Sequence, residues 1–74
     1  MEVKRMSNHV YKKLEIVGSS PVSVEDAINT AISRSGDSVN NLRWFEVMQL
    51  RGEIADGKIA HYQVTLKLGF TLEE

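Results

Sequence analysis

The chain has 74 residues, nine basic and ten acidic, with a formal net charge of −1; this makes one small domain without the clustered positive charge of a nucleic-acid binder. There is no cysteine, which excludes disulfides and thiolate metal sites, and two isolated histidines, His9 and His61, do not make a structural zinc site. A domain this small is marginal alone, so oligomerisation is left as the source of extra stability. The absence of a long apolar run or a signal-peptide core makes a cytoplasmic protein without membrane association the expectation.

Residues 1–8 carry no periodic pattern and read as a flexible N-terminal tail, with a single domain over 9–74. Val10, Leu14 and Ile16 alternate with Tyr11, Lys13 and Glu15, which predicts a strand to about Val17. Gly18-Ser19-Ser20-Pro21 is read as its end. Val24, Ala27, Ile28, Ala31, Ile32 and Ser35 then recur at helical spacing and form one narrow face of small and β-branched side chains. Ser23 stands where an N-cap belongs, Glu25 and Asp26 complement the helix dipole, and Gly36 is placed to end the helix in a left-handed conformation. Alanines on the buried face predict a close approach of helix to sheet.

An extended segment over about 41–55 runs into Asp56-Gly57, a tight-hairpin signal. Ala60, Tyr62, Val64, Leu66, Leu68, Phe70 and Leu72 then alternate with His61, Gln63, Thr65, Lys67, Gly69 and Thr71 as a strand. The order is β-α-β-β. A two-residue turn at Asp56-Gly57 sets Trp44 opposite Gly69, Phe45 opposite Leu68, Val47 opposite Leu66 and Gln49 opposite Val64. The other face then carries Leu42, Trp44, Glu46, Met48 and Leu50, too apolar for an ordinary wet face, and predicts burial by other subunits. A bulge, with Gly52 the candidate position, would flip this parity locally.

Trp44 is the single tryptophan. Opposite a glycine it has room for its ring, and taken alone it reads as an interface or core filler. Gln63 offers an amide donor and acceptor on the same face, suited to the edge of a heterocycle, though a solvated strand glutamine has the same pattern. Six residues of strand, roughly 20 Å, separate the two positions. One small ligand can touch both only if different subunits supply them. Arg51 and Glu53 straddle Gly52 as a solvated pair, and His61 has no evident acid-base partner. No nucleophile stands beside a base, and no metal-ligand spacing is present.

The segment Asn41-Leu42-Arg43-Trp44-Phe45-Glu46-Val47 closely resembles the central strand of dodecins. So does His61-Tyr62-Gln63-Val64-Thr65-Leu66-Lys67-Leu68-Gly69-Phe70 with Leu72-Glu73. Val10-Tyr11-Lys12-Lys13, Gly18-Ser19-Ser20-Pro21 and Glu25-Asp26-Ala27-Ile28 extend the likeness over about residue 8 to the end. The resemblance implies an α+β fold, a three-stranded antiparallel sheet wrapped around one helix, assembled into a hollow dodecamer. It implies non-catalytic flavin binding, with paired flavins stacked between symmetry-related tryptophans at Trp44 and held at the isoalloxazine edge by Gln63. Storage or buffering of flavin and protection against its photochemistry are the roles that follow. Bacterial members hold FMN, archaeal ones riboflavin or lumichrome, and ions are sometimes found in the channels of the shell.

Glu53 and Arg43 complete the candidate cofactor-binding residues. Position 53 is Glu where many FMN-binding members carry a basic or histidine residue, and a carboxylate there repels a phosphate and favours riboflavin. Position 49 is Gln where an acidic residue is frequent, so no metal or ribityl contact is carried over to that position. The competing expectation is an oligomeric structural or carrier protein that does not bind flavin, with Trp44 as a plug between subunits.

Overall fold

A computed structural model describes residues 8–72. Its elements are β1 (Tyr11–Ser20), α1 (Val24–Gly36), β2 (Leu42–Ala55) and β3 (Lys58–Thr71). The three strands form one antiparallel sheet in the order β1-β3-β2. The expected β-α-β-β architecture is therefore present. Of the tail expected over 1–8, only Asn8 falls within the described residues.

The most regular strand in the sequence takes the central place. β3 pairs with β1 from Tyr62 to Thr71 and with β2 from Lys58 to Phe70. From Tyr62 onward its even-numbered residues point toward the helix, and Val64, Leu66 and Leu68 are buried there. They meet Ala27 and Ala31 to form the core, with Leu14, Ile16, Val24, Ile28, Ile32 and Leu42 packed around it. The expected close approach is at Gly18, where an added Cβ would collide with the Ala27 carbonyl and Ala31.

β1 runs on to Ser20, three residues past the expected end. Ser20 is buried, donates its hydroxyl hydrogen bond to Asp26 Oδ2 at 2.7 Å, and accepts from the backbone N–H of Val22 at 2.9 Å. Ser23 is the N-cap, accepting from the Asp26 N–H at 2.9 Å. The helix C-terminus differs from expectation. Gly36 is still helical and the cap is Asp37 in the right-handed region, φ −70°. The N–H groups of Asp37, Ser38 and Val39 satisfy the carbonyls of Arg34 and Ser35, so no left-handed residue is needed there. The left-handed residue comes later, at Asn41 (φ 66°), just before β2.

Asp56 and Gly57 both have positive φ, 53° and 73°, the conformation that two-residue hairpins with right-handed strand twist require. The register set by this turn holds beside it, for Ala55↔Lys58 and Ile54↔Ile59, and again from Trp44↔Gly69 to Val47↔Leu66. It fails from Gln49 to Glu53 and at Leu42 because the hairpin carries three irregularities, between Leu42 and Trp44, Val47 and Gln49, and Glu53 and Ile54. Gln49 pairs with Thr65, and Leu50 rather than Gln49 pairs with Val64. None of the three is at Gly52. Each shift moves a stretch of side chains to the other face. Leu42 and Leu50, expected on the outer face, are on the helix side, and Gln49, Arg51 and Glu53 are on the outer face.

Candidate functional site

The outer face of the sheet, away from α1, carries every candidate polar contact. Its rows follow from the strand pairing: Tyr11 with Thr71; Lys13, Gly69 and Trp44; Glu15, Lys67 and Glu46; Val17, Thr65 and Gln49; Ser19, Gln63 and Arg51; His61 and Glu53. Trp44 is set by β2 and β3 together. Its six-membered ring occupies the volume that any side chain at position 69 would need. Tyr11 meets it edge-on, ring centroids 5.0 Å apart at 72°, a favourable aromatic geometry. Between a glycine beneath and a tyrosine at its edge the indole is held flatly against the sheet, yet Trp44 keeps 39% exposure. A partly uncovered indole offers a planar ring a surface on which to stack.

Arg43 flanks this platform at the irregularity before Trp44, and its Nε donates to Thr71 Oγ1 at 3.0 Å. Below the tryptophan, Lys13 Nζ and Glu46 Oε1 pair at 3.4 Å, both about half exposed; such a pair contributes little to stability. The platform is thus ringed by charge on the strand side.

Gln63 is six residues along β3 from Gly69, so the sequence-based separation of roughly 20 Å between it and Trp44 holds in the folded chain. It is half-buried, with Arg51 opposite on β2 and Ser19 opposite on β1. Arg51 was read as a solvated partner of Glu53; instead it faces Gln63. Glu53 faces His61, with Oε1 3.2 Å from Nδ1. His61 therefore has the carboxylate partner that the sequence did not reveal. The contact has ion-pair distance without hydrogen-bond alignment, and Nδ1 is shielded from solvent. The missed signal is the shift near Ile54, which brings residues 53 and 61 into register.

The four candidates form two groups on one face. Arg43 and Trp44 stand at one end; Gln63 and Glu53, with Arg51 and His61, stand at the other. No single small molecule reaches both within one chain. Among the described residues there is no group of three or more His, Asp or Glu side chains placed to hold a metal ion. No helix among them is long and apolar enough to cross a membrane.

A β-α-β-β domain that leaves an indole partly exposed on one face of its sheet has the form of a ligand-binding module. The dodecin family model matches residues 10–73. A dodecin from Thermus thermophilus is 46% identical over 65 residues, covering 88% of this chain and 94% of that one. The structure of dodecin from Streptomyces coelicolor superposes with a TM-score of 0.88 at 54% identity, covering 93% of this chain and 99% of that chain. Calcium dodecin from Mycobacterium tuberculosis is 36% identical over 64 residues, covering 85% of this chain and 89% of that one. The chain belongs to the dodecin family, small flavin-binding proteins that are not enzymes.

Proposed function

We propose that this protein stores and buffers flavin, and shields it from light, by stacking isoalloxazine rings in pairs between Trp44 residues of symmetry-related subunits in a hollow dodecamer. The observation that carries this reading is the indole of Trp44, pressed onto Gly69 and braced by Tyr11 while still 39% exposed. One face of the platform belongs to the sheet, and the remaining area fits a ring of the same width. Stacking two π faces and removing both from water provides the affinity. The roughly 20 Å between Trp44 and Gln63 supports a site shared between copies, with Gln63 of one reaching the isoalloxazine edge of a flavin stacked on another.

Glu53 and Arg43 are the remaining contacts in this reading. A carboxylate at position 53, steadied by His61, disfavours a phosphate at the end of the ribityl chain and makes riboflavin the preferred ligand over FMN. Electron transfer from Trp44 to the excited flavin would return it rapidly to the ground state. That is the basis for photoprotection, and it makes fluorescence the natural readout.

The test is titration of riboflavin and of FMN into flavin-free protein, followed by flavin fluorescence. Strong quenching saturating near one flavin per subunit is expected, with riboflavin the tighter ligand. Trp44→Ala is expected to lose the quenching and to weaken binding by about 2–3 kcal/mol, roughly 30- to 150-fold, for the loss of most of an aromatic contact. Assembled wild-type protein that quenches neither flavin would leave the structural or carrier reading, with Trp44 as an interface plug.

A further inference from the structure

We infer that Tyr11 is a positioning residue for the flavin site: its ring reaches across the sheet from β1 and fixes the indole of Trp44 in the orientation on which a flavin stacks. This inference rests on the reading that Trp44 is the stacking surface, and assigns to a second aromatic residue the work of holding it still.

Tyr11 and Trp44 belong to the two edge strands of the sheet. β3 lies between them, so their backbones are two strand spacings apart, roughly 9.5 Å. Tyr11 pairs with Thr71 and Trp44 with Gly69, a further offset of two residues along β3. That is beyond the reach of ordinary cross-strand pairs. The ring centroids are nevertheless 5.0 Å apart, at 72°, because position 69, which stands between the two strands, has no side chain. The residue of β1 directly in line with Trp44 is Lys13. It leaves that row and pairs with Glu46 of the next, Nζ to Oε1 3.4 Å. Two successive outward side chains of β1 therefore cross β3 on the same slant, each one row toward the hairpin turn. The reach of Tyr11 is part of a pattern of this face, not the placement of one isolated side chain.

Tyr11 is itself well anchored. The hydroxyl of its strand partner Thr71 accepts from Arg43 Nε at 3.0 Å, and the Leu72 N–H donates to the Val10 carbonyl at 3.0 Å. These bonds tie the starts of β1 and β2 to the end of β3. The ring of His9 also lies beside Tyr11, centroids 6.1 Å apart at 46°. The indole needs such a hold. Gly69 gives it room without gripping it, and a large side chain that is 39% exposed on an edge strand can otherwise move among staggered rotamers. A ligand that stacks on a mobile indole must first still it, which weakens binding. The contact with Tyr11 removes that motion beforehand. An edge-to-face pair favours one arrangement by roughly two- to tenfold, and that is the scale of the effect expected on affinity. The contact is one of ring with ring, so phenylalanine should serve in place of tyrosine.

Trp44 is the single tryptophan, so its time-resolved fluorescence anisotropy in the flavin-free full chain reports on this indole alone. The wild type is expected to depolarise only with the tumbling of the whole protein. Tyr11→Thr keeps a strand-forming residue and is expected to retain the far-ultraviolet circular dichroism. It should add a subnanosecond depolarisation and bind riboflavin about three- to tenfold more weakly in a quenching titration. Tyr11→Phe is expected to match the wild type in both measurements. A Tyr11→Thr protein that binds riboflavin as tightly as the wild type or more tightly, or a Tyr11→Phe protein that behaves like Tyr11→Thr, overturns the inference. So does a wild-type indole that already moves freely, a result that needs no variant to fold. If Tyr11→Thr loosens the indole and Tyr11→Phe restores it while the wild type quenches no flavin, Tyr11 still holds Trp44 and the flavin reading falls. If all three proteins quench riboflavin equally and hold the indole equally still, the flavin reading stands and Tyr11 is not its positioning residue.

Discussion

Gly69 decides where the indole of Trp44 can lie. Any Cβ at position 69 would sit inside the six-membered ring, so Gly69→Val must push the indole off the sheet and break its edge contact with Tyr11. The backbone at Gly69 is not in a conformation reserved for glycine, so the strand itself tolerates the change. Gly69→Val is therefore expected to retain the β-sheet circular dichroism and to lose at least about tenfold in riboflavin affinity, the worth of a displaced aromatic contact; unchanged affinity would remove the indole from the binding surface. Glu53 makes an independent residue-scale case. It is well exposed beside His61, so its charge acts through largely solvent-like surroundings, where one unit charge on another about 5 Å away is worth about 1 kcal/mol. Glu53→Gln is expected to narrow the preference for riboflavin over FMN by about fivefold, measured by paired titrations. A preference that does not move would place the phosphate away from this carboxylate.

At the scale of elements, the helix and β3 were legible because periodicity is strong where one face is buried. Ala27 and Ala31 on one side and Val64, Leu66 and Leu68 on the other repeat at 3.6 and at 2, and both sets are buried. The hairpin was legible at its turn and in its middle, from Trp44 to Val47, and illegible beyond, because its register shifts carry no glycine or proline to announce them. The nearest glycine, Gly52, serves another purpose: it lets the backbone pass the His61 carbonyl, 2.8 Å from where a Cβ would be. Candidate residues were therefore found, but Arg51 and His61 were given the wrong neighbours. Ser20 shows the same limit at the start of α1. Its composition marks a turn, yet folded it is a buried hub that joins the end of β1 to Asp26 and to the Val22 N–H. Ser20→Ala would leave a carboxylate and an amide short of a partner. The expected cost is about 1–3 kcal/mol, seen as a lower urea midpoint with flavin stoichiometry unchanged. Stability equal to wild type would show that water replaces the hydroxyl.

For the whole molecule, the two sheet faces differ in chemistry: one carries Trp44, Gln63 and Glu53, the other the exposed apolar strip of Phe45, Val47, Leu50, Ile54 and Ile59. Sequence parity set Leu42 and Leu50 on the face of Trp44 and Gln49 on the other, and the irregularities of the hairpin exchange them. The separation lets assembly and ligand binding be read independently in one thermal experiment. Any equilibrium that favours the folded, assembled state raises the unfolding midpoint by mass action. The wild type should therefore melt higher as protein concentration rises, and higher again with riboflavin, by about 2.7 kcal/mol of added stability at a hundredfold excess over the dissociation constant. In a chain of 74 residues that is a shift of roughly ten degrees or more. Trp44→Ala should keep the concentration dependence and lose most of the riboflavin shift, because its hairpin strip is intact. Ile54→Lys should lose both, since a site shared between copies disappears with the contact that builds it. If Ile54→Lys instead keeps the riboflavin shift, one chain binds flavin alone, and Gln63 takes no part in the site built on Trp44.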